Sequence, residues 1–267
     1  MADMVHAQHD SPRKFRVFAI TGKGGVGKTT FAFLFARALI ARGRHPLLID
    51  ADPALSHLAR ALGITPEHTI ESIRAELIGV AARGNADEKA VTAREIGSIV
   101  ARSVVKGADY DLLVMGQPAS AGCFCPSNTL LRSVIRELAG QYDSVIIDCE
   151  AGLEQIHRQV IGTVEFIIIV TDPSARSFAT AEAILASARR FTQYKRAGLV
   201  VNKVIQGAAV KIPAWVEKHG VIILGELPDV PALREHESLD SCLTEGFQLP
   251  VLEPAVASIA EKIDGGT

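Results

Sequence analysis

GKGGVGKTT, residues 22–30, follows the apolar run FRVFAI (15–20) directly and opens a helix-forming segment over 28–42. Its spacing is G-x-x-x-x-G-K-[ST], a glycine-rich turn between a strand and a helix. The glycines let backbone N–H groups turn inward around phosphate oxygens, and the helix N-terminus adds its positive end. On this reading Gly22, Lys23, Gly24, Gly25, Val26, Gly27, Lys28, Thr29 and Thr30 line a nucleotide. Lys28 reaches the β- and γ-phosphates, and the Thr29 hydroxyl ligates Mg²⁺.

Outward from this loop, the chain repeats one theme. HPLLID (45–50), YDLLVMG (110–116), DSVIID (143–148), EFIIIVT (165–171), AGLVVNK (197–203) and GVIILGEL (220–227) are short aliphatic runs bounded by polar or glycine residues. Continuous runs without alternation suit strands buried on both faces of a parallel sheet. Helical periodicity occupies 127–139, 176–191 and 254–264. The expected fold is therefore α/β, a doubly wound and mostly parallel sheet flanked by helices. Residues 15–267 read as a single domain after a disordered tail, 1–14, with 64–108 as a helical insertion.

Composition narrows the function. The 267 residues carry 28 basic and 30 acidic side chains, a net charge of -2, which argues against nucleic acid as an obligatory partner. The start, MADMVHAQHDSPRK, lacks the apolar core of a secretory signal, and the apolar runs are too short to span a bilayer. A cytoplasmic protein without a membrane partner is expected. Four cysteines, Cys123, Cys125, Cys149 and Cys242, are too few for a disulfide scaffold and suit a reducing compartment.

The base contact is read from VVNKVI (200–205). A guanine site needs an Asp two residues after Lys203, where this chain has Ile205. Asn202 suits the adenine amino group, so ATP is the expected nucleotide. Asp50 and Asp52 end the second strand, and Asp148 ends DSVIID in the position from which a carboxylate serves Mg²⁺.

The second lysine of the loop, Lys23, makes it resemble the deviant Walker family of nitrogenase iron protein, MinD, ParA and the arsenite-pump ATPase. That resemblance implies an ATPase whose extra lysine reaches across an ATP-promoted homodimer to the partner's phosphates, a cation brought in trans to developing charge. Lys23, Lys28 and Asp52 are then the catalytic residues, Asp52 orienting the attacking water. Asp50 and Asp148 support Mg²⁺ with Thr29, and 150–152 forms a second switch. GELPDV (225–230) resembles the family's adenine-side loop, which adds Leu227, Pro228 and Asp229 to Asn202 and Lys203.

MGQPASAGCFCPSNTLLRSVI (115–135) places Cys123 and Cys125 one residue apart. Such a pair is strained as a disulfide and supplies half of a four-thiolate tetrahedral site. Two copies meeting on a two-fold axis supply the whole. With Asn128 and Ser133 in step and DCEAGLEQ (148–155) following, the chain resembles the CooC family of nickel-insertion ATPases. The departure is Ala54, where that pattern has an acidic residue. The resemblance implies an ATP-dependent metallochaperone holding Ni²⁺, or Zn²⁺ by thiolate preference, between Cys123 and Cys125 of two subunits. Its client is apo carbon monoxide dehydrogenase or a related nickel enzyme. Two rivals stand beside it: an iron–sulfur reductase like nitrogenase iron protein, and a positioning ATPase of the MinD or ParA kind. The C-terminal LEPAVASIAEKIDGGT (252–267), with Lys262 as its one basic residue, is a poor membrane anchor.

Overall fold

The aliphatic runs form the strands of one sheet. They are β1 (Arg16–Gly22), β2 (Leu47–Asp50), β3 (Val104–Val105), β4 (Asp111–Val114), β5 (Ser144–Asp148), β6 (Thr163–Thr171), β7 (Gln193–Val204) and β8 (Ile222–Pro228). Their spatial order is β3-β4-β2-β5-β1-β6-β7-β8. Every neighbouring pair is parallel except β3 with β4. The computed structural model describes residues 16–53, 55–83, 101–117, 138, 141–149, 163–233, 243 and 249–265. The tail 1–14, Ala54, Cys123, Cys125, Asn128, Ser133, the switch 150–152, Cys242 and all but residue 138 of the expected helix 127–139 lie outside the described residues.

Helices cover both faces. On one face α1 (Lys28–Ile40), α2 (His57–Ala61) and α6 (Leu252–Gly265) enclose a core that contains Phe18, Phe166 and Leu48. On the other, α4 (Ala175–Phe191), α5 (Ala214–Lys218) and the first residue of α3 (Ile70–Arg83) meet Val145, Ile147 and Ile169. The helix α1 is apolar almost all round, so it is held between β1, β5 and α6. Phe35 meets Phe18 edge-on at 5.2 Å and stacks on Phe31 at 5.8 Å. Each such buried ring stabilises the fold by about 1.5–3 kcal/mol.

Within 64–108, Ile70–Arg83 is helical, but Val104–Val105 corrects the purely helical expectation. These residues pair antiparallel with Leu113 and Leu112 at the sheet edge. Val104 is buried against the sheet, and a two-residue strand leaves no period in the sequence.

Two polar clusters tie the lower rim of the sheet, away from the loop at Gly22. Asp111 accepts from Lys106 Nζ (2.7 Å), Tyr142 OH and Gly107 N (3.1 Å), with His45 Nε2 at 3.2 Å. Burial pushes the Asp111 carboxyl up, but those hydrogen bonds outweigh it and hold it at about 2. Asp264, in the last turn of α6, meets Arg16 at 2.9 Å, Arg42 at 3.2 Å and Arg44 at 3.3 Å. Arg196 Nη2 donates to the neighbouring Ile263 carbonyl at 2.7 Å.

Candidate nucleotide site

The parallel register sets the carboxylates side by side. Asp148 of β5 pairs with Asp50 of β2 on one side and Ile20 of β1 on the other. Two residues beyond Ile20, β1 ends at Gly22, so the glycine loop starts beside both carboxylates. This is the carboxyl edge of the sheet, where chain direction from β1 divides, the usual place for a ligand in a doubly wound fold.

Glycine is required at both ends of the loop. Gly22 has φ 151°, and a Cβ there would lie 2.1 Å from the Val170 carbonyl oxygen. Gly27 caps α1 with φ 91°, and its Cβ would lie 2.5 Å from Asn202 Nδ2. Between them the loop carbonyls are held by side chains. Lys28 Nζ donates to Lys23 O at 3.3 Å, Lys203 Nζ to Gly25 O at 2.7 Å, and Asn202 Nδ2 to Val26 O at 2.8 Å.

Thr29 Oγ1 donates to Asp148 Oδ2 at 2.7 Å, while Asp148 Oδ1 is buried without a hydrogen-bond partner. Burial raises the Asp148 carboxyl to about 7, against the Thr29 hydrogen bond, with the Asp50 charge adding to the rise. Asp50 is raised to about 6, again by burial, although both its oxygens accept backbone N–H groups. Oδ1 takes Asp52 N at 3.2 Å and Oδ2 takes Ala59 N at 2.9 Å. An orphaned buried oxygen beside a hydroxyl, with two carboxyls reluctant to ionise together, fits a divalent cation of the oxygen-seeking class. Asp50 itself anchors the loop into α2. Asp52 is partly exposed; its Oδ1 accepts Leu55 N at 3.3 Å and its Oδ2 lies 3.9 Å from His57 Nε2.

Beside the loop a crevice is lined by Thr30, Phe31 and Leu34 of α1, by Asn202 and Lys203, and by Leu227, Pro228 and Asp229 at the end of β8. The Val26 carbonyl can only accept, so Asn202 must present Nδ2 to it; its Oδ1 remains the acceptor end. A slot with apolar walls and the Asn202 acceptor suits a flat base that offers an amino group.

The family model described as "AAA domain" matches residues 16–201. The chain belongs to the AAA domain family. It is 35% identical over 248 residues to the uncharacterized ATP-binding protein MJ0685 of Methanocaldococcus jannaschii, covering 92% of this chain and 98% of that protein. It is 36% identical over 180 residues to the carbon monoxide dehydrogenase accessory protein CooC of Rhodospirillum rubrum, covering 64% of this chain and 68% of that one. Among solved structures, the septum site-determining protein MinD of Pyrococcus horikoshii, complexed with Mg-ADP, matches with a TM-score of 0.65. That match covers 94% of this chain and 96% of the other at 21% identity, a likeness of fold.

This AAA domain thus gathers Lys23, Lys28, Thr29, Asp50, Asp148, Asn202 and Lys203 around one loop. Cys123 and Cys125 lie outside the described residues, and among the described residues no group of three or more His, Cys, Asp or Glu is placed to hold a metal. Cys149 is buried in the core, where burial raises its thiol well above the ordinary range. No helix among the described residues is long and apolar enough to cross a membrane. Sequence reasoning missed Asp172, whose Oδ2 lies 3.8 Å from Lys23 Nζ. Its place directly after the aliphatic run EFIIIVT (165–171) was legible, but its approach to Lys23 was not. The apolar walls of the crevice, Phe31 and Leu34, were also missed, because nothing in the sequence of α1 sets them apart from its other buried residues.

Proposed function

We propose that the chain binds and hydrolyses ATP with Mg²⁺, dimerises on it, and holds Ni²⁺ as cargo between Cys123 and Cys125 of two subunits. The recipient is carbon monoxide dehydrogenase or a related nickel enzyme. The observation that carries the nucleotide half is the Thr29–Asp148 pair with its orphaned oxygen at the mouth of the glycine loop. Thr29 and Asp148 would hold Mg²⁺, which when bound offsets phosphate charge, and Asp50 would steady the loop behind them. Lys28 meets the terminal phosphates, Asp52 orients the water, and Lys23 acts on the partner's nucleotide. The Asn202 acceptor end favours the adenine amino group over the carbonyl oxygen that guanine carries in its place.

Nickel delivery is supported by the C-x-C pair and by similarity to CooC. It is tested by incubating apo carbon monoxide dehydrogenase with the nickel-loaded protein. Activation that requires ATP is expected; activation equal without ATP, or none, would overturn it. The MinD-like fold favours a second reading, a positioning ATPase. In that case ATP should drive capture on a partner surface with no effect of Cys123→Ser.

A further inference from the structure

Consecutive residues of a strand send their side chains to opposite faces. Asn202 and Lys203 of β7 break that rule, because both reach the glycine loop: Asn202 Nδ2 meets Val26 O at 2.8 Å and Lys203 Nζ meets Gly25 O at 2.7 Å. The cause lies in the backbone. Lys203 has φ 60°, in the left-handed region that side-chain-bearing residues seldom adopt, and the register of β7 with β8 shifts between Val201 and Val204. A bulge of this kind re-aims a side chain near a functional site. The Val204 carbonyl is then fixed by Asp229 N at 2.9 Å, so the kink is held from both flanks.

A trans peptide is planar, and its C=O and N–H point in opposite directions. The carbonyl of Gly25 and the N–H of Val26 belong to one peptide unit; the carbonyl of Val26 and the N–H of Gly27 belong to the next. Pulling the two carbonyls toward β7 therefore turns the two N–H groups away from it, toward the space where the loop meets phosphates. Lys203 was expected from the sequence to touch the nucleotide itself. We propose instead that Lys203 is a positioning residue for the phosphate loop, its ammonium holding the Gly25 carbonyl so that the Val26 N–H is already aimed before a ligand arrives. Asn202 does the same for Gly27 with its amide nitrogen and reads the base with its oxygen, so the two neighbours join base recognition to phosphate recognition. This rests on the nucleotide reading above.

The alternatives are a lysine that contacts the base and a lysine that only braces β7. Lys203→Gly separates them, because glycine accepts φ 60° without strain while removing the side chain with its ammonium. Binding of MgATP and of base-free magnesium tripolyphosphate is measured by calorimetry, together with Tm. Loss of a charge-assisted hydrogen bond to the loop should weaken both ligands about ten- to hundredfold, with Tm unchanged or raised. Lys203→Arg, which keeps a cation on the same backbone, should stay within a few-fold of wild type for both. Weakening of ATP alone makes Lys203 a base contact and overturns the proposal. Wild-type binding of both ligands by Lys203→Gly overturns it as well, and so does an equal loss in Lys203→Arg. A wild-type protein that binds neither ligand instead sinks the nucleotide reading on which the proposal stands.

Discussion

The Thr29 hydroxyl donates to Asp148 Oδ2 at 2.7 Å, joining residues 119 positions apart, and leaves Asp148 Oδ1 buried with no partner. Helix α1 supplies one group and strand β5 the other; the β1–β5 pairing sets their separation. A carboxyl in this position is costly to ionise, and a second one, Asp50, stands beside it in register. Ionising Asp148 with no cation beside it therefore lowers the stability of the fold.

That cost is measurable. The folded carboxyl of Asp148, at about 7, lies above its ordinary value of 3.8. Its contribution to stability is fully present below pH 3.8 and is lost as pH rises through about 7. Asp148→Asn removes the charge, so without Mg²⁺ it should melt above wild type at pH 8, by a few kcal/mol or several degrees. At pH 5, where the folded carboxyl is protonated but that of the unfolded chain is ionised, the gap should be clearly smaller than at pH 8. Thermal melts at both pH values test this, and a variant less stable than wild type at pH 8 would count against it.

Asp111 gives the opposite sign. Its folded carboxyl, at about 2, lies below the ordinary 3.8, so its contribution is present above pH 3.8 and is lost as pH falls toward 2. Tyr142→Phe deletes one of the hydrogen bonds that hold it there and should cost about 1–2 kcal/mol at pH 7. The difference should shrink toward pH 2, and the acid-unfolding midpoint should move to higher pH. Chemical denaturation across that range is the measurement; a cost that does not change with pH would remove Asp111 from the account.

Lys28 and Lys23 should separate binding from assembly. Lys28→Ala is expected to lose nucleotide binding about hundredfold or more, since on the proposed reading Lys28 is the cation that meets the terminal phosphates. Lys23 is partly exposed and lies 3.8 Å from Asp172, a loose pair from which it is easily drawn. Lys23→Ala should therefore bind ATP within a few-fold of wild type while losing ATP-driven dimerisation. Size-exclusion with ATP reads this directly: an undiminished dimer peak would mean that Lys23 does not act in trans.

The elements legible in the sequence are those with a local cause. FRVFAI, HPLLID and DSVIID became β1, β2 and β5 because continuous aliphatic runs have no solvent face to offer. The glycine loop was legible because Gly22 and Gly27 occupy backbone conformations that other residues resist. The contact of Lys203 with the Gly25 carbonyl was not legible, because its left-handed φ comes with a register shift against β8, which no spacing within VVNKVI encodes. Asp172 beside Lys23, and the three arginines around Asp264, bring together residues from distant elements, and their sequence neighbours give no sign of it. Val104–Val105 was too short to declare itself as a strand.

Metal stoichiometry bears most directly on the proposed cargo. Each chain offers the thiolates of Cys123 and Cys125, whereas a tetrahedral soft-metal site needs four. Cys149 does not supply the rest, because it is buried in the core and its thiol is pushed up away from ionisation. If two chains share the site, wild type should bind one divalent metal per dimer. Binding should release protons and weaken as pH falls, since the thiols must ionise. Cys123→Ser and Cys125→Ser should each abolish tight binding, while Cys149→Ser leaves it nearly intact. ATP binding should survive in both cysteine variants, because Lys28, Thr29 and Asp148 are untouched. Titration with nickel against a coloured indicator, followed by mass determination of the complex, gives the ratio. One metal per monomer, or full binding by Cys123→Ser, would mean that each chain completes the site from other ligands, and the two-fold axis would lose its role in holding nickel.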